Sequence, residues 1–355
     1  MMSRRCRITT LLAHGLILST ESLSSQLQPS TASVSIGTLT LSPVALGTLN
    51  HFVKDDDNAV RVLQSSPAGT LIDTAEVYAK GQSEVAVARA AVRAGLVLGE
   101  SVFVATKFAP EPWRLTTDSV VSACRESATR LGVNCIDLYQ IHYRDLVQPL
   151  EVFGYTNEKD ELYWDGLADC YHKGLVANVG VCNYGPIMVK RAHAALAKRD
   201  VPLVSNQFNF NLMRHRSVHQ ETKSVCDDLG IKVLAYHPLG KGTLTGKYDA
   251  DDRSTMPTGN YYYRMKRWVK ATESLREVLS RIAYIREKTG AQVAINWILC
   301  KGAVPIVGAR NAAQAAENAG AIGWSLSKGE IEELDIASAD SEERYTILGK
   351  EFTLV

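Results

Sequence analysis

The chain lacks most of the features that would name a chemistry at once. Its seven cysteines (Cys6, Cys124, Cys135, Cys170, Cys182, Cys226 and Cys300) form no CxxC and no metal-ligand spacing. Their odd number argues for free thiols in a reducing compartment, each most simply a small buried hydrophobe, and no metal is expected. An excess of one charge is missing too: 39 Lys+Arg face 38 Asp+Glu, a formal net charge of +1. That removes the electrostatic signature of a nucleic-acid binder. The apolar run from Ile8 to Leu18 is interrupted by His14 and is far too short to span a bilayer, so no membrane anchor is expected. Solenoid repeats and low-complexity tracts are absent as well. What remains, 46% apolar and 22% charged residues over 355 positions, is ordinary for a globular enzyme with a sizeable core.

Acids are scarce in one place only. Glu21 is the single acid before Asp55, while Arg4, Arg5 and Arg7 open the chain and Ser and Thr are abundant. Residues 1–41 therefore read as a targeting segment, of plastid or mitochondrial type, with a secretory signal or an extension without an address as alternatives. Residues 42–340 read as one domain, and 341–355 as a short tail.

Within that domain, short apolar strands alternate with helical patterns every 25 to 35 residues or so, the rhythm of a parallel (β/α)8 barrel. Strands are expected at Val44–Gly47, Thr70–Asp73, Val102–Lys107, Ile136–Ile141, Ala177–Val181, Val201–Gln207, Lys232–Tyr236 and Ala303–Val307. A helix is expected to start near Thr117-Asp118 and to stop at Gly132. A polar excursion covers residues 144–160, and residues 237–270 read as one long loop, Gly- and Tyr-rich. Loops of that length are usually functional.

Three strands end in an ionisable residue: Leu71-Ile72-Asp73, Val104-Ala105-Thr106-Lys107 and Tyr139-Gln140-Ile141-His142. In a parallel barrel these ends share one rim, where such folds place their sites. Tyr78 follows Asp73 by five positions. A phenol is a poor acid near neutrality, and an adjacent ammonium would lower its pKa. Lys107 could supply that ammonium, Asp73 could hold it, and His142 could hydrogen-bond a substrate oxygen. Glu76 reads as a helix-start or salt-bridge residue, and His172, His215 and His219 as solvated.

The motifs DTAEVY, VATKF and LYQIHY, in that order, resemble the Asp, Tyr, Lys and His tetrad of the aldo-keto reductases. The resemblance covers about Ser42 to Asp340. It implies reduction of an aldehyde or ketone, with Asp73, Tyr78, Lys107 and His142 as the catalytic set. A His rather than a carboxylic acid at position 142 implies C=O and not C=C reduction.

The same resemblance implies NADPH/NADP+ as cofactor. Asn183 and Gln207 match the ligands of the nicotinamide carboxamide, with Cys182 where a Ser is usual, and Tyr236 matches the aromatic that stacks on the ring. His237 replaces another usual Ser, ahead of Pro238 and Leu239. Gly47 and Thr48 end the first strand beside the cofactor, followed by Leu49 where many relatives carry Trp; Trp113 could supply a wall instead. The segment Lys241 to Tyr248, with Gly242 and Lys247, is similar to the part that covers the pyrophosphate. Gly308, Arg310, Gln314, Glu317 and Asn318 match the adenosine-phosphate site, where helix N-terminal amides and an Arg fork favour a 2′-phosphate. The expected partner is a small-molecule carbonyl substrate; the sequence leaves its identity and the oligomeric state open. Two other readings remain: a nucleotide-binding redox sensor or channel β-subunit-like protein on the same scaffold, and Schiff-base chemistry at Lys107, which leaves the Arg310 segment unexplained.

Overall fold

The eight expected strands are short and mostly apolar, and their pairing follows from that. In the computed structural model, which describes residues 33–49, 51–144, 159–259 and 261–346, they close a parallel barrel. The strands are β3 (Ala45–Gly47), β4 (Leu71–Asp73), β5 (Phe103–Phe108), β6 (Leu138–Ile141), β7 (Val179–Cys182), β8 (Leu203–Asn209), β9 (Lys232–Tyr236) and β10 (Val304–Gly308). They lie in sequence order around the ring, with β10 returning to β3 through the pairs Ile306 to Ala45 and Gly308 to Gly47. Residues 1–32, most of the polar excursion and the tail beyond 346 lie outside the described residues.

Strand side chains alternate between two environments. Ile72, Val104, Tyr139, Ile141 and Val181 pack outward into the large core shared with the helices. Ala45, Leu71, Ala105, Leu138, Val204, Leu234, Val304 and Ile306 turn inward and form a separate apolar cluster. Two residues on from an inward position is another inward position. Leu71 thus sets Asp73 into the barrel, Ala105 sets Lys107, Leu138 leads through Gln140 to His142, and Leu234 sets Tyr236.

The surrounding helices are α1 (Asp56–Gln64), α2 (Gln82–Arg93), α3 (Thr117–Leu131), α4 (Asp160–His172), α5 (Pro186–Ala197), α6 (Val218–Asp228), α7 (Tyr261–Ala271), α8 (Glu273–Ile285), α9 (Gly290–Cys300), α10 (Ala312–Ala319) and α11 (Lys328–Thr346). Their ends follow local chemistry. Thr116 and Ser119 form a capping box at α3, which stops at Gly132 in the left-handed region, φ 68°. Thr289 and Gln292 form another at α9, and Asn311 caps α10 by accepting from the Gln314 amide at 2.9 Å.

Four expectations need correction. The segment assigned to the extension contains an antiparallel hairpin, β1 (Val34–Ile36) with β2 (Leu39–Leu41). Its Ile36, Leu39 and Leu41 complete the inward apolar cluster, so the domain boundary drawn at residue 42 cuts through the barrel's own floor. Residues 237–270 are not one loop: 3-10 turns at Gly240–Thr245 and Arg253–Thr255 precede α7, whose Met265, Trp268 and Val269 are buried. Helix α11 carries through Thr346, past the expected tail start at 341. His219 is buried, and so is most of the His215 side chain, with Nδ1 3.1 Å from Ser338 Oγ and the ring edge-on to Trp297. Burial pulls both imidazoles down to a pKa of about 4.

Candidate active site

Asp73, Lys107 and His142 lie at the C-terminal ends of neighbouring strands, and Tyr78 enters from the turn after β4. Lys107 is fully buried, and its ammonium donates to Asp73 Oδ2 at 2.8 Å and to the Thr74 carbonyl at 2.7 Å. It also lies 5.1 Å from the centroid of the Tyr78 ring, within cation–π reach of the phenol. Burial works hardest against the ammonium, but Asp73, Tyr78 and Cys182 together outweigh it and the Lys107 pKa stays above its ordinary value.

The phenol behaves otherwise than the sequence suggests. Burial raises the Tyr78 pKa, Lys107 opposes that, and Asp73 adds to it, so the net shift is upward. Lys107 is close enough to lower the value, but it is itself neutralised by Asp73, and desolvation of the phenolate wins. Tyr78 is therefore held as a phenol, ready to give a proton and not to take one.

His142 is fixed through its backbone. Its N–H donates to the Phe108 carbonyl at 2.8 Å, and its own carbonyl accepts from Asn183 Nδ2 at 3.0 Å. The ring meets Tyr78 edge-on at 5.7 Å. Burial, with Lys107 nearby, pulls its pKa down to about 3, so the imidazole is neutral. Among the described residues, buried Nδ1 has no hydrogen-bond partner. A neutral ring beside a protonated phenol can hold a carbonyl oxygen by hydrogen bonding while the phenol protonates it.

The carboxamides predicted to face a nicotinamide are present, but already tied into this network. Gln207 Nε2 donates to Asp73 Oδ1 at 2.7 Å, so both Asp73 oxygens are occupied. Asn183, in the left-handed region at φ 61°, accepts the Tyr236 hydroxyl on Oδ1 at 2.9 Å. Each amide keeps one N–H and a further acceptor lone pair, which suits a carboxamide. Cys182 is buried and burial raises its thiol pKa, so it is a neutral wall beside Lys107. Thr48 departs from its expected role through its side chain: the hydroxyl is buried, donates to the Asp73 carbonyl at 3.0 Å and lies 3.0 Å from Ser83 Oγ.

The phosphate end is more open. Gly47 and Gly308 pair across β3 and β10, and a Cβ on Gly308 would meet only the Gly47 carbonyl, at 3.9 Å. Arg310 is exposed at the start of α10, and among the described residues no carboxylate pairs with it. Its backbone is fixed, the carbonyl accepting from Asn58 Nδ2 at 2.5 Å and the N–H donating to Gln314 Oε1 at 2.8 Å. Glu317 is half-buried on α10, and buried Asn318 reaches the Gly308 carbonyl at 3.5 Å. Pro238 is buried and Leu239 half-buried, packing on the core, while exposed His237 and half-buried Lys241 adopt left-handed backbone, φ 53° and 55°. Exposed Lys247 folds back so that a Cβ on Gly242 would touch its Nζ at 3.1 Å. An uncompensated guanidinium at a helix N-terminus, bare glycine backbone and two half-spent carboxamides fit a phosphorylated nicotinamide nucleotide. Two linking groups escaped the sequence reading: Asn58, which shows no motif, and Ser83, which joins Thr48 and Thr74 through its hydroxyl.

Known proteins share this fold and much of this sequence. A model described as the aldo/keto reductase family matches residues 36–339. The chain is 37% identical over 324 residues to the chloroplastic pyridoxal reductase of Arabidopsis thaliana, covering 87% of this chain and 86% of that protein. It is 28% identical to an aldo-keto reductase of Strobilurus tenacellus, over 82% and 84% of the two chains. Among solved structures, the glycerol dehydrogenase of Gluconobacter oxydans superimposes with a TM-score of 0.66 at 26% identity, over 91% of this chain and 98% of that one. The Bombyx mori aldo-keto reductase in complex with NADP gives 0.64 at 24%, over 86% and 92%, a likeness of fold.

Proposed function

The chain belongs to the aldo/keto reductase family, an NADP-dependent oxidoreductase by that membership, and on that premise we propose that it reduces an aldehyde or ketone to an alcohol with NADPH. One observation carries the reading: a buried ammonium that donates to Asp73 and Thr74 and lies 5.1 Å from the ring of Tyr78, a phenol kept protonated, beside a neutral imidazole. When bound, the nicotinamide supplies the hydride. Tyr78 delivers the proton to the carbonyl oxygen, and Lys107 stabilises the phenolate that this leaves. His142 donates to the same oxygen and orients the carbonyl. Gln207 and Asn183 hold the carboxamide, and Arg310 meets the 2′-phosphate, which favours NADPH over NADH. Gly47, Thr48 through its backbone, Tyr236, Pro238, Leu239, Gly242, Lys247, Gly308, Gln314, Glu317 and Asn318 complete the proposed cofactor contacts.

The relative named pyridoxal reductase makes pyridoxal the first aldehyde to assay. Because neutral His142 is a hydrogen-bond donor and not a strong acid, an α,β-unsaturated aldehyde should yield the allylic alcohol, with NADPH consumed faster than NADH. A saturated aldehyde as product would refute the role of His142. The relative's chloroplastic name and the acid-poor composition together support a plastid address in the residues ahead of the hairpin. A fluorescent reporter fused behind residues 1–32 should enter plastids, and a cytosolic reporter would discard the address.

A further inference from the structure

Glu76 has no place in the reaction so far. It stands two residues before Tyr78, in the turn closed by the Tyr78 N–H on the Ala75 carbonyl at 3.0 Å. It caps no helix, since α2 begins only at Gln82. Its carboxylate is 8% exposed and fully used. Oε1 accepts from the Ala109 N–H at 2.6 Å and from Arg114 Nη1, and Oε2 accepts from Arg114 Nη2 at 2.9 Å. This is a two-pronged fork of the kind a guanidinium makes and an ammonium cannot.

Arg114 is tied as firmly on its other side. Nη1 also donates to the Ala109 carbonyl at 2.9 Å, the guanidinium lies over the Phe108 ring at 4.6 Å, and the Arg114 carbonyl accepts the Tyr163 hydroxyl from α4 at 3.1 Å. Phe108 follows Lys107, and its carbonyl holds the His142 N–H. One ion pair therefore spans the turn that presents Tyr78, the strand end that presents Lys107 and the backbone contact that seats His142.

We propose that the Glu76–Arg114 pair is a positioning device for the reaction: it locks the Tyr78 turn to the end of β5 and so fixes the distance between proton donor, ammonium and imidazole. The proposal rests on the roles given above to Tyr78, Lys107 and His142. Mere stabilisation is the weaker explanation, because a largely buried ion pair contributes little net stability against its desolvation cost. Geometry at a proton-transfer site has steeper consequences, since a displacement of about 1 Å can cost on the order of a hundredfold in rate.

The test compares Glu76→Gln, Arg114→Met and the double variant in the full chain. Each should bind NADPH within twofold of wild type by fluorescence titration and lose roughly ten- to a hundredfold in kcat. The double variant should be no worse than the worse single, as for residues acting as one unit. Hydrogen exchange followed by mass spectrometry should show residues 74–79 and 109–116 opening together in every variant. A lower melting temperature with kcat at saturation unchanged would overturn the proposal, as would multiplying losses in the double variant. If the wild type reduces no aldehyde, the reading of the site fails and exchange alone decides. Faster exchange at 74–79 upon Arg114→Met then upholds the lock, and unchanged exchange discards it. Should Arg114→Met not fold, Arg114→Lys, which keeps the charge but loses the fork, carries the same comparison.

Discussion

The two ends of this barrel are built from the same strands by opposite rules. At the floor, the first inward residues Leu71, Ala105, Leu138, Val204, Leu234 and Val304 meet Ile36, Leu39 and Leu41 of the hairpin in an apolar plug. At the rim, the next inward positions are Asp73, Lys107 and Tyr236, with His142 just past β6. Backbone strain divides the same way. Of nine non-glycine residues with positive φ among the described residues, seven (Leu49, Ala79, Lys80, Asn183, Ser217, His237 and Lys241) follow β3, β4, β7, β8 and β9 at the rim. Strain of this kind persists where surrounding structure over-determines it, and it gathers at functional sites. The floor supplies stability and the rim spends it on holding charged groups in place.

The largest expected effect belongs to the rim. Tyr78→Phe removes only the transferable proton and leaves the ring between Lys107 and His142. NADPH should bind as before, by fluorescence titration, while aldehyde turnover falls about a thousandfold, roughly 4 kcal/mol of barrier. Turnover retained within about tenfold, or 1.4 kcal/mol, would mean that another group protonates the oxygen and that the rim is not organised around this phenol. The Glu76 and Arg114 variants should fall between this loss and none, because they move the donor without deleting it.

Much of the rim was legible in the sequence because its chemistry is local. Asp73, Tyr78, Lys107 and His142 sit at fixed offsets from short apolar strands, and period-two alternation then aims three of them inward. Less legible was the protonation state. Lys107 looks in the sequence like a group that lowers the Tyr78 pKa, whereas in the fold burial outweighs it. That balance depends on desolvation, which no spacing encodes. The ion pair of Glu76 is half-visible: a salt bridge can be expected, but its partner lies 38 residues on, beyond α2 and β5. His215 and His219 look solvated because their neighbours in sequence are polar, yet Trp297 and Phe208 cover them from distant elements. The hairpin is hard to see for a different reason. Residues 1–41 are Ser- and Thr-rich, and the alternation in Val34-Ser35-Ile36 and Leu39-Thr40-Leu41 is only three residues long on each side of its turn.

That hairpin allows the sharpest test of the division, through an effect expected to be absent. Gly37 turns it at φ 56°, where a Cβ would strike Asn178 Oδ1 at 2.0 Å. Asn178 in turn accepts the Thr38 N–H at 3.0 Å and donates to Thr38 Oγ1 at 3.0 Å, which seats the plug against the barrel wall. Ile36 is 1% exposed beneath the strand starts. Ile36→Ala should lower stability in urea unfolding by about 2–5 kcal/mol through lost burial and a cavity. Asp73 and Lys107 stand one inward layer above Leu71 and Ala105, about 7 Å at about 3.3 Å per residue, and Ile36 packs beneath that layer; substitutions more than about 7–10 Å apart with no shared partner act independently. The folded variant should therefore keep kcat and KM for the aldehyde within twofold of wild type. A kcat reduced tenfold in protein that is fully folded at the assay temperature would show that packing at the floor sets geometry at the rim, and the two ends would have to be treated as one mechanical unit.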